Sequence, residues 1–286
     1  MTIGPDFRER IEAAAGKSIQ SSAPLSGGCV GDVRRIEFGD GFSLVGKFGG
    51  PGSGLALEGR MLRYLGDQTT LPVPDVFIAD DDLLLMTNVP SGDPLDDAAE
   101  SHAADLIAAL HDIRGPHFGF AYDTVIGGLP QTNTAGSSWI AFFRDHRLLN
   151  MADQALDAGR LALGTRHRIE RLAGRLDSWI DGPVSPGLVH GDLWSGNILC
   201  RRGQITGFVD PALYFGDPEI ELAFSTLFHT FGETFFSRYQ EHRPIAPGFF
   251  ETRRDLYNLY PLLVHVRLFG GTYEQAVERI LEQFGC

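Results

Sequence analysis

Positive charge is scarce in this 286-residue chain, where 24 Lys and Arg face 37 Asp and Glu for a formal net charge of -13. Proteins that grip a phosphate backbone present a basic face, so this balance argues against a nucleic-acid partner. It suits a cationic or neutral ligand, and it keeps the chain soluble. Cysteine is scarce too. Cys29, Cys200 and Cys286 are an odd number without metal spacing, which argues against a disulfide framework or zinc site and fits a reducing cytosol. No apolar run reaches the length that spans a bilayer, so no membrane segment is expected. The start is amphipathic and carries both signs of charge, unlike a secretory signal, so a cytoplasmic location is expected.

Hydrophobic content of 43% is ordinary for a globular protein and sufficient for a sizeable core. Residues 6–16 read as a short helix with Phe7 and Ile11 on one face. Alternation predicts strands over 18–25, 33–38 and 42–48, with Gly39-Asp40-Gly41 turning the second into the third. A helix over 55–65 follows, with Leu57, Met61, Leu62 and Leu65 on one face, and then strands over 76–79 and 83–86. From Ser91 the pattern is helical: 96–113, 139–149, 163–180, 218–231 and two C-terminal segments. Between 187 and 211 lies a turn-rich insert with two apolar strand-like runs. An α+β protein is expected, with a small antiparallel five-stranded lobe over 1–88 and a mainly helical lobe over 89–286, acting as one unit.

Leu188-Val189-His190-Gly191-Asp192-Leu193-Trp194-Ser195-Gly196-Asn197 carries the strongest chemical signal. An apolar strand end leads into a loop holding Asp192 and Asn197, and the run over 205–209 then ends in Asp210-Pro211-Ala212. Phosphoryl transfer to a hydroxyl needs a carboxylate to orient the nucleophile and hard oxygen ligands for Mg²⁺. Asp192 suits the first role and Asn197 with Asp210 the second, at the spacing kinase catalytic loops use. Any one of these residues alone would be an ordinary loop residue.

Such a trio requires a nucleotide site in the sheet lobe. Gly27-Gly28-Cys29 between the first two strands would let backbone N–H groups approach the phosphates of ATP. Lys47, late in the third strand, would reach the α- and β-phosphates, steadied by Glu58 on the next helix. Met86, Thr87, Asn88 and Val89 stand where adenine would meet the backbone between lobes. Trp194 and Tyr214 flank the proposed base and metal residues and are candidates for the acceptor pocket. His190 would brace the loop, and His111 would pack against an apolar stripe. Glu219 and Glu221 suit the positive end of a helix opening at Pro218. Cys29, inside the phosphate loop, is a candidate redox-sensitive position.

The segment from His190 to Asn197, with its Trp194-Ser195, resembles the fructosamine (ketosamine) kinases, relatives of the aminoglycoside and choline kinases. The resemblance extends to Asp210-Pro211-Ala212-Leu213-Tyr214-Phe215-Gly216, to 127–133 with 139–148, and to Leu268-Phe269-Gly270-Gly271-Thr272-Tyr273. Glu221 stands where that family more often has Asp, and Thr87 where it often has an acidic residue. The resemblance implies a bilobal protein-kinase-like fold using ATP and Mg²⁺, and phosphorylation of the 3-hydroxyl of a ketosamine, a sugar joined to an amine. Alternatives are an aminoglycoside or other amino-alcohol phosphotransferase, or an inactive binding protein of the same fold. A small-molecule acceptor and a monomer or weak homodimer are expected.

Overall fold

The computed structural model describes residues 3–25, 32–181 and 184–286. The candidate phosphate loop with Gly27, Gly28 and Cys29 lies outside the described residues.

Helix α1 (Pro5–Ala15) opens with proline in its first turn and ends at Gly16 in the left-handed region, two ordinary punctuation marks. Five strands follow: β1 (Ile19–Pro24), β2 (Asp32–Phe38), β3 (Ser43–Phe48), β4 (Val76–Ala79) and β5 (Leu83–Thr87). They form one antiparallel sheet in the order β1-β2-β3-β5-β4, so β3 lies at its centre. Alternation assigns two faces. Ile36, Phe38, Leu44, Leu83 and Leu85 pack with Ile11 of α1. Val45, Leu84 and Met86 pack with Leu55 and Leu62 of α2 (Leu55–Gln68), inserted after β3. Lys47 is two residues from Val45 and therefore shares the α2 face.

Gly59 sets how closely α2 lies on the sheet. A Cβ there would come within 2.5 Å of the Ala79 Cβ and 3.0 Å of Leu84 Cδ1. The helix thus sits nearer β4 than any side chain would allow, and this depth carries its neighbour Glu58 to Lys47.

The remaining chain is mainly helical. Helix α3 (Asp97–His111) is capped by Asp96, whose carboxylate accepts the Ala99 N–H. Two short strands, β6 (Thr124–Ile126) and β7 (Leu129–Gln131), make a hairpin that the strand pattern did not suggest. Each is only three residues long and β7 contains Pro130, so periodicity had little to register. Its turn, Gly127-Gly128, has φ of 54° and 78°, a pairing of positive values that suits two-residue hairpins.

Helix α4 (Trp139–Phe142) runs through a π-helical stretch (Phe143–Leu149) into α5 (Asn150–Asp157), longer than the expected helix over 139–149. Helix α6 (Leu163–Ala173) stops at Gly174, short of the expected 180. Strands β8 (Gly187–Val189), β9 (Ile198–Arg201), β10 (Gln204–Phe208) and β11 (Tyr214–Gly216) form two small ladders, β8 with β11 and β9 with β10. Helices α7 (Pro218–Leu227), α8 (Glu233–His242), α9 (Arg254–Phe269) and α10 (Thr272–Gln283) complete the body. Three helices thus stand where two C-terminal segments were expected. A large core beneath them spans residues from Met61 to Phe284.

Gly59→Val is expected to destabilise the protein by about 1–3 kcal/mol through overpacking against Ala79. Urea denaturation measures this, and an unchanged midpoint would mean that α2 can lift from β4 without cost.

Candidate active site

Lys47, Glu58, Asp192, Asn197 and Asp210 line one cleft between the sheet and the helical body. Lys47 is only 7% exposed. Its ammonium donates to Glu58 Oε1 at 2.7 Å and also bonds the Asp210 carboxylate. Burial by itself would lower the lysine pKa, but these two carboxylates more than offset it and the pKa lies above its usual value. Asp210 reaches Lys47 from a left-handed backbone conformation, φ 55°, uncommon for a residue with a Cβ.

Asn197 Nδ2 donates to both the backbone oxygen and Oδ2 of Asp192, at 2.9 Å each. Burial pushes the Asp192 carboxyl up to about 7, and repulsion from Asp210 adds to the shift, while the Asn197 hydrogen bond opposes it. Three carboxylates, Glu58, Asp192 and Asp210, thus gather around the single ammonium of Lys47. Their hard oxygen donors are of the kind that Mg²⁺ takes. With its Nδ2 committed to Asp192, Asn197 keeps Oδ1 as a donor of the same type.

The loop that carries Asp192 is fixed from behind. Gly191 has φ 85°, and a Cβ there would fall 2.1 Å from the Ala212 oxygen, so only glycine fits. Its N–H donates to Glu221 Oε1 at 2.7 Å, and the His190 N–H donates to Oε2 at 3.1 Å. The same Oε2 meets His111 Nε2 at 2.9 Å, and His111 Nδ1 meets the Tyr239 hydroxyl at 2.7 Å. Glu221 is therefore more than a helix-end charge. Asp217 caps α7 by accepting the Glu219 N–H at 3.0 Å, and Glu219 pairs with Arg253 at 2.6 and 2.8 Å. With the N-cap filled by Asp217, Glu221 turns to the loop, and its extra methylene relative to Asp does not prevent contact. His111 is buried as expected, with both ring nitrogens in use. His190 is fully buried, and its Nδ1 lies 3.4 Å from the Asp192 N–H, a weak brace.

The opposite wall of the cleft is Val125 to Gly128 of the hairpin, with Val264, His265, Leu268 and Phe269 from the end of α9. Gly127, Gly128, Leu268 and Phe269 lie in segments that carry the family resemblance, but none of these wall residues was read as part of the site, because they lie in short or ordinary apolar segments. Buried Gln131 ties the wall together. Its Nε2 donates to Thr124 Oγ1 at 2.8 Å and to the Ala212 oxygen at 3.0 Å, and its Oε1 accepts the Tyr260 hydroxyl at 2.6 Å. One side chain thus joins the hairpin, the segment after Asp210, and α9.

Trp194 lines the cleft. Tyr214 does not. Pairing of β11 with β8 places it opposite Val189, 1% exposed, with its ring 3.9 Å from the Arg147 guanidinium. It borders a small interior space behind Gly191, so the structure moves it from the acceptor pocket to the core. Met86 packs in the α2-facing core of the sheet. Thr87 Oγ1 accepts the Asp75 N–H at 2.9 Å, and Asn88 Nδ2 donates to Ser43 Oγ at 3.0 Å. These two side chains tie the end of β5 back to the sheet, at the approach to β4 and the start of β3, and Val89 lies beside Gly207 of β10. None of the four borders the cleft around Asp192.

The fructosamine kinase family profile matches residues 6–285. The chain belongs to the fructosamine kinase family. It is 35% identical over 227 residues to a protein named probable ketoamine kinase from Lactiplantibacillus plantarum, covering 78% of this chain and 79% of that one. The chloroplastic protein-ribulosamine 3-kinase of Arabidopsis thaliana is 37% identical over 171 residues, 58% of this chain and 51% of the plant protein. The crystal structure of a candidate fructosamine-3-kinase from Thermobifida fusca superposes with a TM-score of 0.86 at 31% identity, covering 96% of each chain. An aminoglycoside phosphotransferase at 18% identity and TM-score 0.67 shares the fold, over 97% of this chain and 99% of that one. The protein-kinase-like architecture and the kinase family both stand.

Glu221 carries a pH signature. Burial alone would raise its carboxyl, but His111 and the loop N–H groups hold it below the usual range of about 4.5. Its stabilising contribution is present above that unfolded value and is lost as pH falls through the lower folded one. At pH 7, Glu221→Gln should lose about 2–3 kcal/mol of stability, and the gap to the native protein should close below pH 4.5. Urea midpoints across pH test this; a gap that stays constant into acid would refute it.

Proposed function

We propose that the chain transfers the γ-phosphoryl group of ATP to a hydroxyl of a ketosamine, with Asp192 as the base. The observation that carries this is the meeting, in one cleft, of an Asn197-bound Asp192 with Asp210 and the Lys47–Glu58 pair. Phosphoryl transfer asks for positioning and electrostatics more than covalent chemistry by the protein, and this residue set supplies both.

In this proposal Lys47 holds the nucleotide phosphates, with Glu58 keeping its ammonium in place. Asn197 and Asp210 would hold Mg²⁺, which when bound would offset the negative charge of the nucleotide. Asp192 orients the acceptor hydroxyl and takes its proton. A carboxyl raised to about 7 is a stronger base than an ordinary aspartate and still ionises near neutral pH. The sheet, residues 1–88, would carry the nucleotide, and 89–286 the base and acceptor wall. The names of the relatives at 35% and 37% identity support a ketoamine-type acceptor over an aminoglycoside. Among the described residues no helix is long and apolar enough to cross a membrane. We place the enzyme in the cytoplasm as a monomer or weak homodimer.

An ADP-release assay over fructosamines, ribulosamines, aminoglycosides and choline tests the proposal. Ketosamines should be turned over, and Asp192→Asn should lower kcat by about 10²–10⁴-fold or more while the Mg·ATP-induced thermal shift persists. Near-native turnover in that variant would remove Asp192 from its role. An aminoglycoside as the preferred acceptor would overturn the ketosamine assignment.

A further inference from the structure

The two ends of the cleft differ in chemistry. Carboxylates gather at the inner end, whereas at the mouth the last turns of α9 set His265, Leu268 and Phe269 near Trp194. The rings run on from one another. Trp194 and Phe228 have centroids 6.1 Å apart, Phe228 and His265 4.9 Å, and His265 and Phe269 5.7 Å. Tyr273 of α10 backs the outer pair at 4.9 Å from His265 and 6.2 Å from Phe269.

The ladder is braced. His265 Nδ1 donates to the Pro261 oxygen at 2.7 Å, which fixes the ring plane. Burial also pushes the His265 pKa down, which favours the neutral ring. Leu268 is pressed by the hairpin tip, where a Cβ on Gly127 would fall 2.8 Å from its Cδ1. Yet Phe269, at the outer end, is 50% exposed. It adjoins the other rings of the ladder at the rim of a cleft, and exposed apolar surface in that setting marks a ligand groove. Among the described residues that line the cleft, Lys47 is the one cation, and it is committed to Glu58 and Asp210.

We propose that this aromatic ladder seats the substituent on the acceptor's amine, so that the enzyme selects ketosamines whose amine carries an aromatic or bulky apolar arm. This rests on the ketosamine proposal above and deepens it. In a ketosamine the amine sits on C1, two carbons from the 3-hydroxyl. With that hydroxyl at Asp192, the protonated amine lies among carboxylates and ring faces, both of which favour a cation. Its substituent must then leave away from the phosphates, and Trp194, two residues from the base, begins the path outward. Phe269 finds its cover in an arm long enough to reach it.

Two acceptors that differ only in the arm test this: fructosamines of benzylamine and of methylamine. The native enzyme should favour the benzyl compound by about three- to tenfold in kcat/KM, expressed in the acceptor KM and not in the ATP KM. In Phe269→Ser, a change at an exposed position, that ratio should fall to near one. An equal preference in native and variant, or none in the native enzyme, overturns the inference while leaving the ketosamine proposal intact. Turnover of neither compound by the native enzyme would overturn the ketosamine proposal and this inference with it.

Discussion

A buried ammonium holds this molecule's two halves in register. Lys47 stands on the central strand of the sheet, yet one of its carboxylate partners, Asp210, is 163 residues away beyond β10. Removing an ammonium from water is costly unless opposite charge and hydrogen bonds meet it. Glu58 and Asp210 meet it from two different elements. Withdrawing either would leave a buried charge short of a partner, so the depth of α2 and the position of the segment after β10 are coupled through one nitrogen. The same contact leaves the cleft with more carboxylates than ammonium groups.

Two further polar ties convert that register into a site. Glu221 gathers N–H groups from His190 and Gly191 and stands against His111, so the loop that carries Asp192 hangs from α7 and, through His111, from α3 and α8. Gln131 joins the hairpin, the Ala212 carbonyl and α9. Each is a buried polar side chain whose partners come from distant parts of the chain. Such groups are costly when left unpaired, which makes their geometry specific as well as stabilising. The loop that carries Asp192 and the hairpin wall of the cleft are therefore held by separate fastenings.

Much of this was legible before any coordinates. The five strands, the inserted helix and the Asp192, Asn197, Asp210 spacing depend on local alternation and on residue chemistry within short windows, and all are present as expected. The hairpin over 124–131 was not legible, because three-residue strands with a proline have no usable period. Tyr214 was misplaced for a related reason. Its nearness in sequence to Asp210 suggested the cleft, but pairing of β11 with β8 turned it into the core beside Arg147. Glu219 and Glu221 look alike as acids at a helix start. Asp217 takes the capping role, which frees one to bind Arg253 and the other to bind the loop.

By itself the sequence determined the five strands with their inserted helix, the spacing of Asp192, Asn197 and Asp210, and the family, because these depend on composition, periodicity and motif spacing along the chain. Tertiary structure alone decided which of those groups share a dielectric environment. Only folding buries Asp192, beside Asp210, and so raises its carboxyl to about 7, and only folding brings Glu221 beneath Gly191. It is also what leaves Phe269 half exposed at the mouth of the cleft. Such properties depend on distance and burial between residues far apart in sequence, and no pattern within a single segment encodes them.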